Sequence, residues 1–262
     1  MRAARALWRL LRCLLHTLRG LLICALLFPA LDAPRRMRHV ARWSAQMLAL
    51  LGIECRVSGH PHAAPVMLVA NHVSWLDILA INAVQPARFV SKAEVRHWPL
   101  LGWLVACAGT LFIERERRRD ALRVVHQVAA ALRAGEVVAL FPEGTTSDGN
   151  GVLPFHANLL QAALSAHAPM QPIALRYSDA HAPVSAAVAY VGDTSLLESL
   201  RRVLLADRLR VTLTLLAAQP ATLDRRGAAA RLRAQIAQAI EAPASCSNSA
   251  SSERWQREGS SQ

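Results

Sequence analysis

The chain has 262 residues, 53% of them hydrophobic, and carries 30 basic against 18 acidic side chains for a formal charge of +12. That length accommodates one sizeable α/β domain with an appendage, and five cysteines without a C-x-x-C pair argue against a zinc site or a disulfide framework and for a reducing compartment. The basic excess favours anionic partners such as phospholipid surfaces, phosphorylated substrates or acidic carrier proteins; nucleic acid fits poorly, because the arginines are dispersed and few aromatics interleave with them.

Residues 1–52 stand apart. Arg9, Arg12, His16 and Arg19 recur at near-helical spacing through an apolar stretch, so a basic face opposes one of Leu, Trp and Ile. The uncharged window 20–31 is too short to span a bilayer and contains Pro29. The pattern predicts a membrane-associating helix lying in the interface, and "RHVARWSAQMLALLG" (38–52) repeats it.

Beyond Gly52 the period changes. "APVMLVA" (64–70) reads as a buried strand, and "SWLDILAINAV" (74–84) as a helix with Ser74 at its N-cap. A strand (87–91), a helix stopped by Gly109 (98–109), a strand (110–114) and a helix ended by Gly135 (120–135) follow. "EVVALFPEG" (136–144) is a strand running into a turn. Strands are then predicted over 168–177, 185–192 and 208–217, with helices over 195–207 and 224–242. Alternating strands and helices predict an α/β fold over 53–242, a mixed central sheet flanked by helices. The Ser-rich stretch 243–262 reads as a disordered polar tail.

Three stretches could carry chemistry. In "NHVSWLD", His72 and Asp77 follow a buried strand. A carboxylate that fixes the imidazole tautomer and stabilises the imidazolium suits a histidine to accept a proton from a hydroxyl. The same two residues also read as a turn-bonded histidine and an acid complementing a helix start. In "GTLFIERERRRD", Glu114 and Arg115 leave a strand; the arginine can hold an anion, whereas 117–119 reads as a solvated basic turn. In "FPEGTTS", a glycine turn bears Thr145, Thr146 and Ser147, able to offer N–H groups and hydroxyls to an anion or oxyanion, or simply to reverse the chain. The sequence has no G-x-S-x-G elbow, H-E-x-x-H pair or dinucleotide fingerprint.

In their order, "NHVSWLD" (71–77), "GTLFIER" (109–115), "FPEGTTS" (141–147) and "QPIA" (171–174) resemble the four blocks of the glycerolipid acyltransferases, over roughly residues 50–215. That family comprises the 1-acylglycerol-3-phosphate (lysophosphatidic acid) acyltransferases and their lyso-ornithine lipid relatives. The resemblance implies acyl transfer from acyl-CoA or acyl carrier protein to a lysolipid hydroxyl, without metal or other cofactor. It places the reaction at the cytosolic face of the inner membrane, against an anionic lipid surface. By position, His72 matches the general base and Asp77 its partner, and Arg115 the block implicated in acceptor binding. Glu143, Gly144, Thr145 and Thr146 match the third block and Pro172 the fourth.

Two departures bear on the acceptor. The common third block reads F-P-E-G-T-R-S, with an arginine implicated in holding acceptor phosphate where Thr146 stands here. Downstream, "PFHAN" puts His156 and Asn158 where the family carries PF-K-x-G. Both remove features of an anionic acceptor site. Lysophosphatidic acid is the expected acceptor as the broad default, with lyso-ornithine lipid close behind; a thioesterase or lipase would use the same histidine with water.

Overall fold

A computed structural model describes residues 2–113 and 118–242; Glu114, Arg115 and the predicted tail lie outside the described residues. Seven strands form one mixed sheet: β1 (Glu54–Ser58), β2 (Val66–Ala70), β3 (Arg88–Lys92), β4 (Leu111–Ile113), β5 (Val137–Leu140), β6 (Met170–Ser178) and β7 (Arg210–Leu215). Their order across the sheet is β1-β7-β6-β2-β5-β3-β4. From β6 to β4 neighbouring strands run parallel; β7 is antiparallel to β6, and β1 parallel to β7. All five residues of β2 are buried, as expected of a central strand covered on both faces.

The helices are α1 (Arg2–Leu26), α2 (Ala33–Leu51), α3 (Leu76–Val84), α4 (Leu101–Cys107), α5 (Arg118–Arg133), α6 (Gln161–Ala166), α7 (Leu196–Leu205) and α8 (Arg225–Glu241). On one face of the sheet α2, α3 and α7 bury Leu48, Leu51, Leu76, Ile81 and Val203. On the other, α5, α6 and α8 bury Val124, Val128, Leu132, Leu160, Ala163 and Leu232. The chain therefore leaves β2 toward the first face and β5 toward the second. Adjacent parallel strands whose connections depart to opposite faces open a crevice at their carboxyl ends. Both "NHVSWLD" and "FPEGTTS" begin there.

The predicted α/β architecture stands, with four local corrections. Residues 185–192 form a loop and not a strand: Ser185 N–H bonds to Tyr177 C=O and Tyr190 N–H to Val73 C=O, which draws the segment across the end of the sheet. β1 was not anticipated, because an edge strand with mostly exposed side chains leaves no apolar run to read. Ser74 caps nothing; its buried hydroxyl has no partner, and α3 starts two residues later. Residues 38–52 do more than the amphipathic pattern implied: Met47, Leu48 and Leu51 of α2 join the core beneath α3, so this helix packs with the sheet domain that follows it.

α1 is turned with its small and polar side inward. Cys13, His16 and Cys24 are buried, and the His16 ring stacks on Trp43 of α2 with centroids 5.1 Å apart. Gly20 is required at this crossing: a Cβ there would lie 2.6 Å from Trp43 Nε1. Leu7, Trp8, Leu11, Leu14, Leu15, Leu18, Leu22 and Leu26 all face outward. No helix among the described residues is long and apolar enough to cross a membrane.

Candidate active site

The site begins where β2 ends. Asn71 continues the pairing with β6 through its side chain, donating from Nδ2 to Leu175 C=O (2.9 Å) and accepting from Leu175 N–H at Oδ1 (2.8 Å). The next peptide is clamped from β5's side. His72 N–H donates to Glu143 Oε1 at 2.9 Å, and His72 C=O accepts from Ser147 N–H at 2.7 Å and from Ser147 Oγ at 3.1 Å. The imidazole lies flat on Phe141, with centroids 3.9 Å apart and planes 8° from parallel.

His72 Nδ1 is 2.8 Å from Asp77 Oδ2. That oxygen also accepts from Val73 N–H (2.7 Å) and Ser74 N–H (2.9 Å), while Oδ1 accepts from the Tyr177 hydroxyl at 2.7 Å. Asp77 thus meets donors only, the environment a carboxylate satisfies in full. Desolvation, and then the charge of Asp77, push the Tyr177 phenol well above its ordinary value, so it stays a neutral donor. The Asp77 side chain is 0% exposed and that of His72 19%, which leaves one edge of the imidazole open. Among the described residues Nε2 has no hydrogen-bond partner. A histidine tied at Nδ1 and open at Nε2 is built to take a proton from a group arriving at the crevice.

The third block divides into parts with different tasks. Glu143 is buried and its second oxygen accepts from Leu153 N–H at 3.2 Å, so both oxygens hold backbone. Burial pushes this carboxyl up to about 7, against the lowering effect of its two backbone donors. Gly144 sits at φ +72°, a left-handed turn in which its N–H bonds back to Phe141 C=O at 3.1 Å. The Thr146 hydroxyl donates to Tyr190 C=O and ties this block to the loop crossing the sheet end. Of the three hydroxyl side chains offered by the sequence, only Thr145 is exposed.

The structure thus brings His72, Asp77, Glu143, Gly144, Thr145 and Thr146 to one end of the sheet. Glu143 braces the His72 peptide, where the sequence pointed to substrate contact. Arg115 lies outside the described residues; the strand before it ends at Ile113, beside Lys92 of β3. Pro172 pairs with Val69 inside the sheet, short of the level of His72. Sequence reasoning missed Tyr177, the Asn71 clamp and the Phe141 stack. Asn71 and Phe141 stood within the quoted blocks, but a tyrosine in an apolar strand gives no local sign of a partner far away.

The Acyltransferase family model matches residues 52–176. A lyso-ornithine lipid O-acyltransferase of Pseudomonas aeruginosa is 42% identical over 208 residues, which cover 79% of this chain and 78% of that one. A 1-acyl-sn-glycerol-3-phosphate acyltransferase of Neisseria meningitidis is 45% identical over 147 residues, 55% of this chain and 57% of that protein's length. In fold, the crystal structure of the 1-acyl-sn-glycerophosphate (LPA) acyltransferase PlsC from Thermotoga maritima superposes with a TM-score of 0.63 at 19% identity, covering 89% of this chain and 96% of that one.

Proposed function

The chain belongs to the acyltransferase family, and from that premise we propose that it transfers a fatty acyl group from an acyl thioester to a lysolipid hydroxyl, with His72 as general base. The observation that carries the assignment is the imidazole fixed by buried Asp77 at Nδ1 and open at Nε2. Nε2 takes the hydroxyl proton as that oxygen attacks the thioester carbonyl. The tetrahedral intermediate collapses by breaking the C–S bond, and the imidazolium returns its proton to the departing thiolate. Asp77 stabilises the transient imidazolium, and we place the oxyanion beside the exposed Thr145. Among the described residues no Ser, Thr or Cys side chain bonds the imidazole, which favours direct transfer over an acyl-enzyme. As written, the reaction consumes no metal or other cofactor.

For the acceptor, lyso-ornithine lipid is the first reading. The Pseudomonas relative matched over most of its length carries that name, and Thr146, a neutral side chain bonded to Tyr190 C=O, occupies the place of the family's arginine. Lysophosphatidic acid is the second, favoured by the Neisseria relative. The donor is acyl carrier protein or coenzyme A thioester. We place the protein at the cytosolic face of the inner membrane; membrane contact is supported by α1, whose outward leucines form one face, edged by exposed Arg5, Arg12 and Arg19 suited to anionic headgroups. Trp98, Leu100 and Trp103 are likewise exposed on and before α4, which packs against α1 and follows the carboxyl end of β3. On this reading lipid and the His72 crevice share one end of the molecule.

The test is to offer purified protein a labelled acyl-CoA or acyl carrier protein and a panel of lysolipids with and without phosphate. Wild type should esterify one of the two acceptors, and His72→Ala should reduce this by at least about a thousandfold with an unchanged fold. Full turnover by His72→Ala would sink the mechanism; free fatty acid released at one rate with or without acceptor would make the protein a thioesterase.

A further inference from the structure

One contact at the site lies beyond the reach of substrate. Tyr177 is 2% exposed, comes from β6, and donates its hydroxyl to Asp77 from a hundred residues away in the chain. It addresses Oδ1, the oxygen turned from the imidazole, whereas Oδ2 takes His72 and the two amides. A carboxylate shares one charge between two oxygens. A donor on one draws charge from the other, so the strength of the Tyr177 bond governs how strongly Oδ2 favours a protonated imidazole. We propose that Tyr177 is a positioning residue that sets the basicity of His72 through Asp77.

The inference rests on His72 being the general base. A base in acyl transfer must take a proton from the hydroxyl and then give it to a departing thiolate, so an imidazolium held too firmly by Asp77 slows the second transfer. The Tyr177 hydroxyl limits that hold. The phenol is kept neutral by its burial and by the charge it faces, so it remains a donor across the working range. Two other titratable groups bear on this relay: Glu143, whose oxygen takes the His72 N–H, and Cys55 of β1, whose thiol is pushed up to about 11 and so stays uncharged beside it.

Tyr177 and Tyr190 are the two tyrosines of the chain, so the donor can be tuned in place. In a Tyr190→Phe background, growth on 3-fluorotyrosine puts a more acidic, stronger-donating phenol at position 177 alone; Tyr177→Phe removes the hydroxyl. The full chain in detergent is followed by NMR titration of the His72 imidazole, assigned by its loss in His72→Gln. The pH dependence of kcat/KM is measured beside it, with acyl-CoA and both lysolipids. Tyr177→Phe should raise the His72 midpoint and the acidic limb by about half a pH unit or more, and fluorotyrosine should lower both. A midpoint unmoved in both proteins, with only stability or kcat reduced, would make Tyr177 a structural brace and overturn the proposal. Where Tyr177→Phe does not fold, the fluorotyrosine protein decides alone. Full turnover in His72→Gln would instead overturn the general-base reading, and the NMR midpoints would still decide the coupling.

Discussion

Replacing Glu143 by glutamine separates bracing from acceptor binding. In the folded chain its carboxyl stands at about 7 against an ordinary value of 4.5, with burial the first cause. Between those values the unfolded chain has released the proton and the folded chain still holds it. Stability therefore falls as pH rises through that window, by about 2–3 kcal/mol once partial hydration of the neighbouring exposed turn is counted. Glutamine has no such titration. It keeps one acceptor oxygen and turns an amide donor toward either His72 N–H or Leu153 N–H, leaving one buried N–H unsatisfied at about 1–3 kcal/mol. At pH 5 Glu143→Gln should be the less stable protein by about 2 kcal/mol, and by pH 8 the gap should close to within about 1 kcal/mol. Urea unfolding of both proteins, followed by tryptophan fluorescence at fixed salt and detergent, measures this directly. A gap that stays constant or widens between the two pH values refutes the reasoning. Kinetics give a second readout: at pH 8 kcat should fall about tenfold with KM for the lysolipid unchanged, because the carboxylate holds a peptide and not the substrate. A raised KM at unchanged kcat would restore the acceptor-binding role.

Two further changes address lipid. Leu11, Leu15 and Leu18 are 47%, 57% and 53% exposed on the outer face of α1, and each leucine buried in lipid contributes about 1.5–3 kcal/mol. Converting all three to glutamate should cut sedimentation with anionic vesicles by at least a hundredfold while leaving the circular dichroism spectrum intact; equal sedimentation would remove α1 from the membrane contact. Thr146→Arg exchanges the hydroxyl bonded to Tyr190 C=O for a cation. In a competition between the two lysolipids it should move the kcat/KM ratio about tenfold or more toward the phosphate-bearing one, and an unmoved ratio would show that this position does not choose the acceptor.

The parts legible in the sequence are those whose cause is local. β2 shows as an unbroken apolar run because it is covered on both faces, and the outward leucines of α1 show as a helical period. His72 and Asp77 are legible as a pair because five residues of turn and helix start suffice to close 2.8 Å between them. Tyr177 depends instead on register: β6 pairs with β2 through Ala70 and Ile173, and a slip of one residue would turn the tyrosine to the other face of the sheet. No local pattern encodes that. The third block shows a subtler limit, since its residues do lie beside His72 while Glu143 and Ser147 spend their polar atoms on the His72 peptide. Residue type announces what a side chain can bond, and the fold decides which partner reaches it first. Here β5 supplies the clamp on the His72 backbone and β6 the donor behind Asp77, so the imidazole is fixed from both neighbours of the strand that carries it. Held between those two strands, the His72 imidazole at the end of β2 keeps one orientation toward the crevice.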